Sequence, residues 1–230
     1  MILGIDTSLG TAVAVVEPDG VVRADAGSPD PLAHAEVIGL LIEAALADAA
    51  LGPLGATSAP EPVAITHVAA GMGPGPFTGL RVGIAAARAF ALGRGAHVVP
   101  VPSHDAAALS ALLADPFAEG DGPFGADGEP FAVVTDARRR EVAYTVYAGL
   151  DDDGLPRRVT DPSLALRTDI DDVLARLGAR RHDVSSISAA MLALAAARAV
   201  AAGRTLADGE PLYLRAPDVT LPAAPKRVGS

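Results

Sequence analysis

An apolar run that ends in an aspartate occurs twice in this chain, at matching places of two similar units. Residues 2–6 lead to Asp6, and residues 131–136 lead to Asp136. A turn and a second apolar run follow each aspartate, and helical segments separate the two units. Strands that alternate with helices pair in parallel behind an opening meander of this kind. The pattern therefore predicts an α/β chain of two duplicated lobes, each with a mixed sheet flanked by helices.

The remaining segments divide into helices and Gly/Pro-rich connections. Helices are predicted over residues 34–50, 77–93, 103–114, 169–177 and 188–202. Residues 51–62 and 115–130 are rich in turn-forming residues and are predicted to be linkers or exposed loops. We predict a first lobe over residues 1–114, a smaller second lobe over residues 115–215 and a mobile tail over residues 216–230.

Charge and residue usage exclude several classes of protein. The chain has 18 basic and 28 acidic residues, so it lacks the basic surface of a protein that grips nucleic acid directly. The absence of cysteine excludes disulfides and thiolate nucleophiles. Lys226 is the only lysine and lies outside any GxxxxGK[ST] motif, which excludes a phosphate-loop NTPase. No signal peptide or membrane segment is visible, so we expect a cytoplasmic protein with no membrane partner.

The most distinctive stretch is GMGPGPFTGLRVG, at residues 71–83. A glycine-rich turn between a strand and a helix is typical of sites where backbone N–H groups bind phosphate. Pro74 and Pro76 have no N–H group, however, and no GxGxxG spacing is present. We therefore favour a rigid turn that leads into a helix near Pro76, with Thr78 as a candidate cap.

A second candidate site is the turn that begins with Asp6, Thr7 and Ser8. Actin-like ATPases use an aspartate at a strand end, followed by hydroxyl residues, to hold a metal-bound phosphate. The alternative is a turn whose polar side chains satisfy backbone groups nearby. The residues alone leave both interpretations open.

The five histidines do not form a recognisable metal site. None of them occurs in an HxxxH or HExxH spacing, and no cysteine is available. No GxSxG motif is present either, so nothing indicates a serine hydrolase. We expect no metal and no catalytic residue in this chain.

The first two helices are more apolar than burial on one side requires. The helix over residues 34–50 is apolar around most of its circumference, and Gly79, Gly83, Ala87 and Ala91 recur every four residues in the next helix. A small-residue ridge allows close approach of another helix, so we predict a subunit interface, with burial under the second lobe as the alternative. Six residues are the candidate contacts: Val37, Ile38, Leu41, Leu80, Gly83 and Ala87. On this interpretation, Gly83→Leu disrupts a dimer and leaves the lobes folded.

Four motifs occur in an order that resembles a known family. They are ILGIDTS at residues 2–8, GPGPFTGLRVG at residues 73–83, DAR with EV at residues 136–142, and PLYLR at residues 211–215. Together they resemble the TsaB (YeaZ) family, which takes part in making threonylcarbamoyladenosine at position 37 of tRNAs. The resemblance implies an actin/Hsp70-like (ASKHA) fold of two RNase H-like lobes, in agreement with the duplication.

The resemblance also implies a role without catalysis. In that family the related subunit TsaD transfers the threonylcarbamoyl group, and TsaB binds TsaD and a second copy of itself through helices of the first lobe. The expected partners are therefore TsaD, the ATPase TsaE and a second copy of this chain, with tRNA bound only indirectly. The chain alone is expected to bind no cofactor, and whether ATP or ADP sits at the interface of the complex is left open.

Two positions of the resemblance bear on metal binding. TsaD-like proteins have two metal-binding histidines after the strand that corresponds here to residues 98–101, and the matching residues are Ser103 and Ala107. Neither side chain can replace imidazole as a ligand. The alternative functions are a stand-alone actin-like ATPase or phosphotransferase that uses Asp6, Thr7 and Ser8, and a metallopeptidase.

The chain departs from the family pattern at a few places. Pro76 stands where the family usually has Ser, Arg140 replaces a turn Gly, and Ala143 replaces a Tyr. The segment between Arg181 and Ser188 is shorter than in the family, which predicts that the second lobe lacks one strand.

Overall fold

A five-stranded mixed sheet forms the first half of the computed structural model, which describes residues 1–30, 32–51, 62–114, 129–137 and 139–215. Its strands are β1 (Ile2–Asp6), β2 (Thr11–Val16), β3 (Val22–Ser28), β4 (His67–Gly71) and β5 (His97–Val101). Their order across the sheet is β3-β2-β1-β4-β5. β1 to β3 pair antiparallel, whereas β4 pairs parallel with both β1 and β5. The predicted meander followed by parallel pairing is confirmed.

The strand β1 is apolar up to Asp6 because both faces of its sheet are covered. Leu3 and Ile5 face helices α1 (His34–Ala50) and α2 (Phe77–Arg94), while Ile2 faces the opposite side. A strand buried on both faces is a continuous apolar run rather than an alternating one. Burial on both sides places Asp6, at the end of β1, in the interior of the molecule.

A second mixed sheet repeats this plan with strands of more varied length. It contains β6 (Phe131–Asp136), β7 (Glu141–Leu150), β8 (Pro156–Arg158), β9 (Ser163–Leu166) and β10 (Arg180–Asp183). Its order is β10-β6-β7-β8, and β9 also pairs with β7. Helix α4 (Ile170–Leu177) covers the outer face. The expectation that this lobe lacks a strand near Arg181 is wrong, because β10 pairs in parallel with β6 along Arg180–Asp183.

Two helices lie between the sheets, and each packs against the sheet of the other lobe. Helix α3 (Ser103–Leu112) follows β5 in the chain but packs against β6, β7 and β8, whereas α5 (Ala189–Ala201) follows β10 but packs against the first sheet. The two helices also contact each other, and their alanines form one core with residues of both sheets. The layers are therefore α1 and α2, the first sheet, α3 and α5, the second sheet, and α4. The predicted division into lobes at residue 114 stays a prediction. A cut at this residue would assign α3 to the first lobe and α5 to the second, although each packs against the sheet of the other lobe.

The chain after α5 runs back across the first lobe. The N–H group of Leu212 donates to the carbonyl of Met72, and the Tyr213 ring lies 4.8 Å from that of Phe77. The predicted linker residues 52–61 and 115–128, Arg138 and the predicted tail at residues 216–230 lie outside the described residues. Within the described part of the chain, no helix has the length and apolar character needed to cross a bilayer.

Candidate functional site

Asp6 is the centre of a buried polar network at the end of β1. One carboxylate oxygen, Oδ1, accepts hydrogen bonds from the backbone N–H and the hydroxyl of Ser8, and the other, Oδ2, accepts one from the hydroxyl of Ser103 at 2.5 Å. The residue is 1% exposed. Burial raises the pKa of Asp6, and the hydrogen bonds from Ser103 and Ser8 oppose that rise. Both carboxylate oxygens therefore have partners within the chain.

The hydroxyls that follow Asp6 also have partners inside the chain. Thr7 donates to the carbonyl of Gly79 at 2.7 Å, and Ser8 donates to Asp6. Both residues are buried. The structure thus brings together the three predicted residues, Asp6, Thr7 and Ser8, but in this arrangement their hydroxyls already donate to the chain rather than to solvent. Their role in binding a nucleotide stays a prediction.

Four glycines cover this turn because a side chain at any of them would collide with it. An added Cβ would lie 2.0 Å from Oδ2 of Asp6 at Gly71 and 2.7 Å from Cβ of Ser8 at Gly75. At Gly79 and Gly83 it would lie 2.6 Å and 2.1 Å from atoms of Thr7. These four positions, spaced by four residues, explain the distinctive stretch: glycine allows the loop after β4 and the first turns of α2 to approach the Asp6 turn.

The glycine-rich stretch is the rigid turn that the sequence predicts. A cis peptide bond joins Gly73 to Pro74, and helix α2 begins at Phe77 after Pro76. The expected cap at Thr78 is wrong, because the N-cap residue is Pro76 and no side chain caps the helix. Ser103, which sequence reasoning considered only as a metal position, ties this turn to α3: it accepts from the N–H of Gly73 and donates its own N–H to the carbonyl of Gly73. The position of Ser103 directly after Pro102, at the start of a helix, was the sequence signal that could have indicated this structural role.

The positions that match the metal ligands of TsaD lie on the first turns of α3. Ser103 and Ala107 are buried, and His104 between them points to the second lobe. The two ring nitrogens of His104 bond to the hydroxyls of Thr145 at 2.8 Å and Thr135 at 2.9 Å. Burial lowers the pKa of His104 to about 3. Within the described ranges, no three His, Cys, Asp or Glu side chains cluster in a way that could hold a metal ion.

The second aspartate of the repeat has a different environment. Asp136 is exposed and forms an ion pair with Arg167 at 2.6 Å. The strand ends of the two lobes are therefore equivalent in topology but not in chemistry, as the different residues after Asp136 predict.

The predicted contact residues of α1 and α2 lie mostly in the core. Ile38, Leu80, Gly83 and Ala87 are buried against the first sheet and the Asp6 turn. The ridge of small residues serves contacts within this chain, and both the role of these residues as partner contacts and the effect of Gly83→Leu on a dimer stay predictions. Val37 and Leu41 are only partly buried.

The outward face of these two helices contains other apolar residues. Leu40 of α1 is 66% exposed and Leu92 of α2 is 87% exposed. The exposed small residues Gly39, Ala85 and Ala89 lie on the same outward faces. We call these five residues the outer helix face.

Two lobes with these strand orders, exchanged central helices and an aspartate-hydroxyl turn after the first strand define a protein of the actin-like (ASKHA) fold class. The chain belongs to the TsaD family: the family model described as tRNA N6-adenosine threonylcarbamoyltransferase matches residues 30–201. Membership of this family supports a role in the formation of threonylcarbamoyladenosine in tRNA.

The closely related sequences and folds agree with this assignment. An uncharacterised protein of Mycobacterium tuberculosis is 35% identical over 232 residues, which cover 94% of this chain and 92% of the relative. A Pseudomonas aeruginosa protein described as similar to the peptidase YeaZ has a TM-score of 0.69 at 22% identity, covering 93% of this chain and 99% of its own. YeaZ of Pseudomonas aeruginosa has a TM-score of 0.66 at 21% identity, covering 92% and 99%. The predicted relationship to YeaZ and the predicted fold are confirmed.

Proposed function

We propose that this chain is a non-catalytic subunit that binds a TsaD catalytic subunit and is required for formation of threonylcarbamoyladenosine at position 37 of tRNAs. In this role it acts in the cytoplasm, contacts tRNA only through its partner, and works with the ATPase TsaE. A second copy of the chain competes for the same surface in a homodimer.

The chemistry of the Asp6 network and of α3 supports the absence of catalysis. Ser103 and Ala107 replace the two imidazoles that the family resemblance places at the metal site of the catalytic subunit. Ser103 instead bonds to Asp6 and to Gly73, and Ala107 lies in the apolar core. A hydroxyl and a methyl group cannot supply the neutral nitrogen ligands that imidazoles give a transition metal.

The outer helix face supports the binding role. Leu40 and Leu92 expose most of their apolar surface, and burial of that surface against a partner would stabilise a complex through the hydrophobic effect. No heavy atom lies within 4 Å of a Cβ built at Gly39, so the backbone of α1 is open to close approach there. Small residues beside exposed leucines are the arrangement that lets a helix of another subunit pack at short distance.

Substitution on this face tests the proposal. Leu92→Glu places a charge at the most exposed leucine of the outer helix face and should weaken association with a TsaD subunit by about tenfold or more. Leu166→Glu is the matched control, because Leu166 is 49% exposed on β9 of the second lobe. The mass of the mixed complex and the amount of modified tRNA are measured for both variants.

The proposal predicts loss of complex and of tRNA modification for Leu92→Glu, with both retained for Leu166→Glu. Equal capture of TsaD by the two variants would refute the outer helix face as the contact. Threonylcarbamoyl transfer by this chain without any TsaD subunit would refute the non-catalytic role.

A further inference from the structure

Two helix N-termini open onto one cavity between the lobes. The first turns of α1 and α2 both line this cavity, which has a volume of about 520 Å³. Neither N-cap residue, Ala33 or Pro76, has a side chain that bonds to a helix N–H group. Within the described residues, the backbone N–H groups of residues 34–35 and of residues 77–79 donate to no acceptor. Unpaired amides at a helix start carry partial positive charge and attract anions.

His34 supplies a side-chain donor between these two turns. It is 6% exposed, and its Nδ1 lies 2.8 Å from the hydroxyl of Thr11. Its Nε2 has no hydrogen-bond partner among the described residues, although His34 is part of the cavity wall. A Cβ built at Gly79 would lie only 2.9 Å from this nitrogen, which places the imidazole edge against the first turn of α2. This ring nitrogen is therefore available to bond to a group that enters the cavity.

We propose that this cavity binds a phosphate-sized oxyanion, held by Nε2–H of His34 and the free amides at the start of α1 and α2. Residues 6–8 of the Asp6 turn do not line the cavity, but the turn lies directly behind it, because Gly79 packs against the carbonyl of Thr7 and Asp6 interacts electrostatically with His34. With Nε2 protonated, the Thr11 hydroxyl donates to Nδ1 of the neutral ring, or accepts from it when the ring is charged. Hydrogen bonds from amides and imidazole to an ionised oxygen are the strong class of hydrogen bond.

The charges on the opposite wall permit an anion. Asp136 faces the cavity but is neutralised by Arg167, and Arg215 pairs with Glu141 at the rim. Arg139 also lines this wall. Glu36 is exposed at the mouth and is the carboxylate that most directly opposes binding.

Titration of the full chain with inorganic phosphate at constant ionic strength tests the site. The backbone amide signals of residues 77–79 and the ring signals of His34 are followed by nuclear magnetic resonance. We expect a saturable shift at these residues, with a Kd that His34→Ala raises by about tenfold, the effect of one hydrogen bond to a charged group. His97→Ala, an exposed histidine on β5, is the control and should leave the Kd within about twofold.

A charge variant keeps the test decisive if His34→Ala does not fold. Thr78→Glu places a carboxylate in the first turn of α2, where it stabilises the helix but repels an anion. Ala175→Glu adds the same charge at an exposed position of α4, away from the cavity. Loss of phosphate binding in Thr78→Glu and its retention in Ala175→Glu support the site.

A parallel titration with AMP identifies the source of the phosphate group. Binding of AMP that is about tenfold tighter than that of free phosphate assigns an esterified phosphate, and equal or weaker binding assigns a free oxyanion. Shifts that rise linearly with phosphate without saturation, or equal Kd values for wild type, His34→Ala and Thr78→Glu, would overturn the proposal.

Discussion

The folded chain should lose stability in weak acid because His104 is buried as a neutral ring between the lobes. Its folded pKa of about 3 lies well below the value of about 6.5 expected in the unfolded chain. The unfolded state therefore binds a proton first as the pH falls, and the stability that the neutral ring contributes is complete above about pH 6.5 and is lost progressively down to about pH 3. Each pH unit in this window costs about 1.4 kcal/mol, so the loss from about pH 7 to about pH 5 is about 2 kcal/mol.

Urea unfolding at both pH values, for wild type and for His104→Gln, measures this contribution. Glutamine can still bond to Thr135 or Thr145 but does not titrate, so the difference in pH dependence between the two proteins isolates the ring. His97→Gln on the exposed end of β5 is the comparison variant: its ring contributes to the lowered pKa of His67, so removing it should reduce the acid sensitivity only slightly. Parallel loss of stability in wild type and His104→Gln, or a His104 ring that titrates near pH 6.5, would refute the buried neutral ring.

Three further substitutions follow from the packing. Gly83→Leu should cost about 3 kcal/mol or more in unfolding free energy, because a Cβ there would lie 2.1 Å from the Thr7 hydroxyl; a thermal melt close to wild type would contradict this. Asp6→Ala should cost about 2 kcal/mol in urea unfolding by leaving two serine hydroxyls without their acceptor, and ATP turnover by the purified chain should be at background before and after the change. Steady turnover that Asp6→Ala abolishes would instead support the ATPase alternative. Arg158→Met should cost about 2 kcal/mol because it leaves the buried carboxylate of Asp105 without its cation, and an unchanged urea midpoint would show that the pair contributes nothing.

The elements could be predicted from the sequence because each has a strong local signal. The helix over residues 34–50 and the strand over residues 97–101 match α1 and β5 in their bounds. The strand β10 was missed because its residues, Arg180–Asp183, are all polar. An edge strand needs no apolar face where solvent covers one side, so tertiary pairing with β6 decides its structure rather than residue preference.

The spacing of the small residues in α2 does not by itself predict which neighbour packs against them. A four-residue repeat of Gly and Ala indicates that another segment approaches α2 closely, but it does not indicate whether that segment belongs to another subunit or to the same chain. Gly71 and Gly75 distinguish the two cases, because they continue the same spacing before the helix and face Asp6 and Ser8 of the same chain. A ridge that extends from a loop into a helix indicates packing against a fixed turn, whereas a helix interface would end with the helix.

The packing of α2 against the Asp6 turn gives the proposed binding role a physical basis. Gly79 and Gly83 seat α2 against the Asp6 turn, and Ser103 bonds the loop before α2 to α3. Gly79 packs against the backbone carbonyl of Thr7, and Gly83 packs against the Thr7 side chain, whose hydroxyl is held by its hydrogen bond to Gly79, so α2 is held in one register relative to the sheet. The residues of the outer helix face are therefore presented at fixed positions, and a partner that binds them does not have to order a flexible surface. An actin-like enzyme needs its phosphate turn open to ligand, whereas in this chain the same residues hold the helix that we propose as the subunit contact.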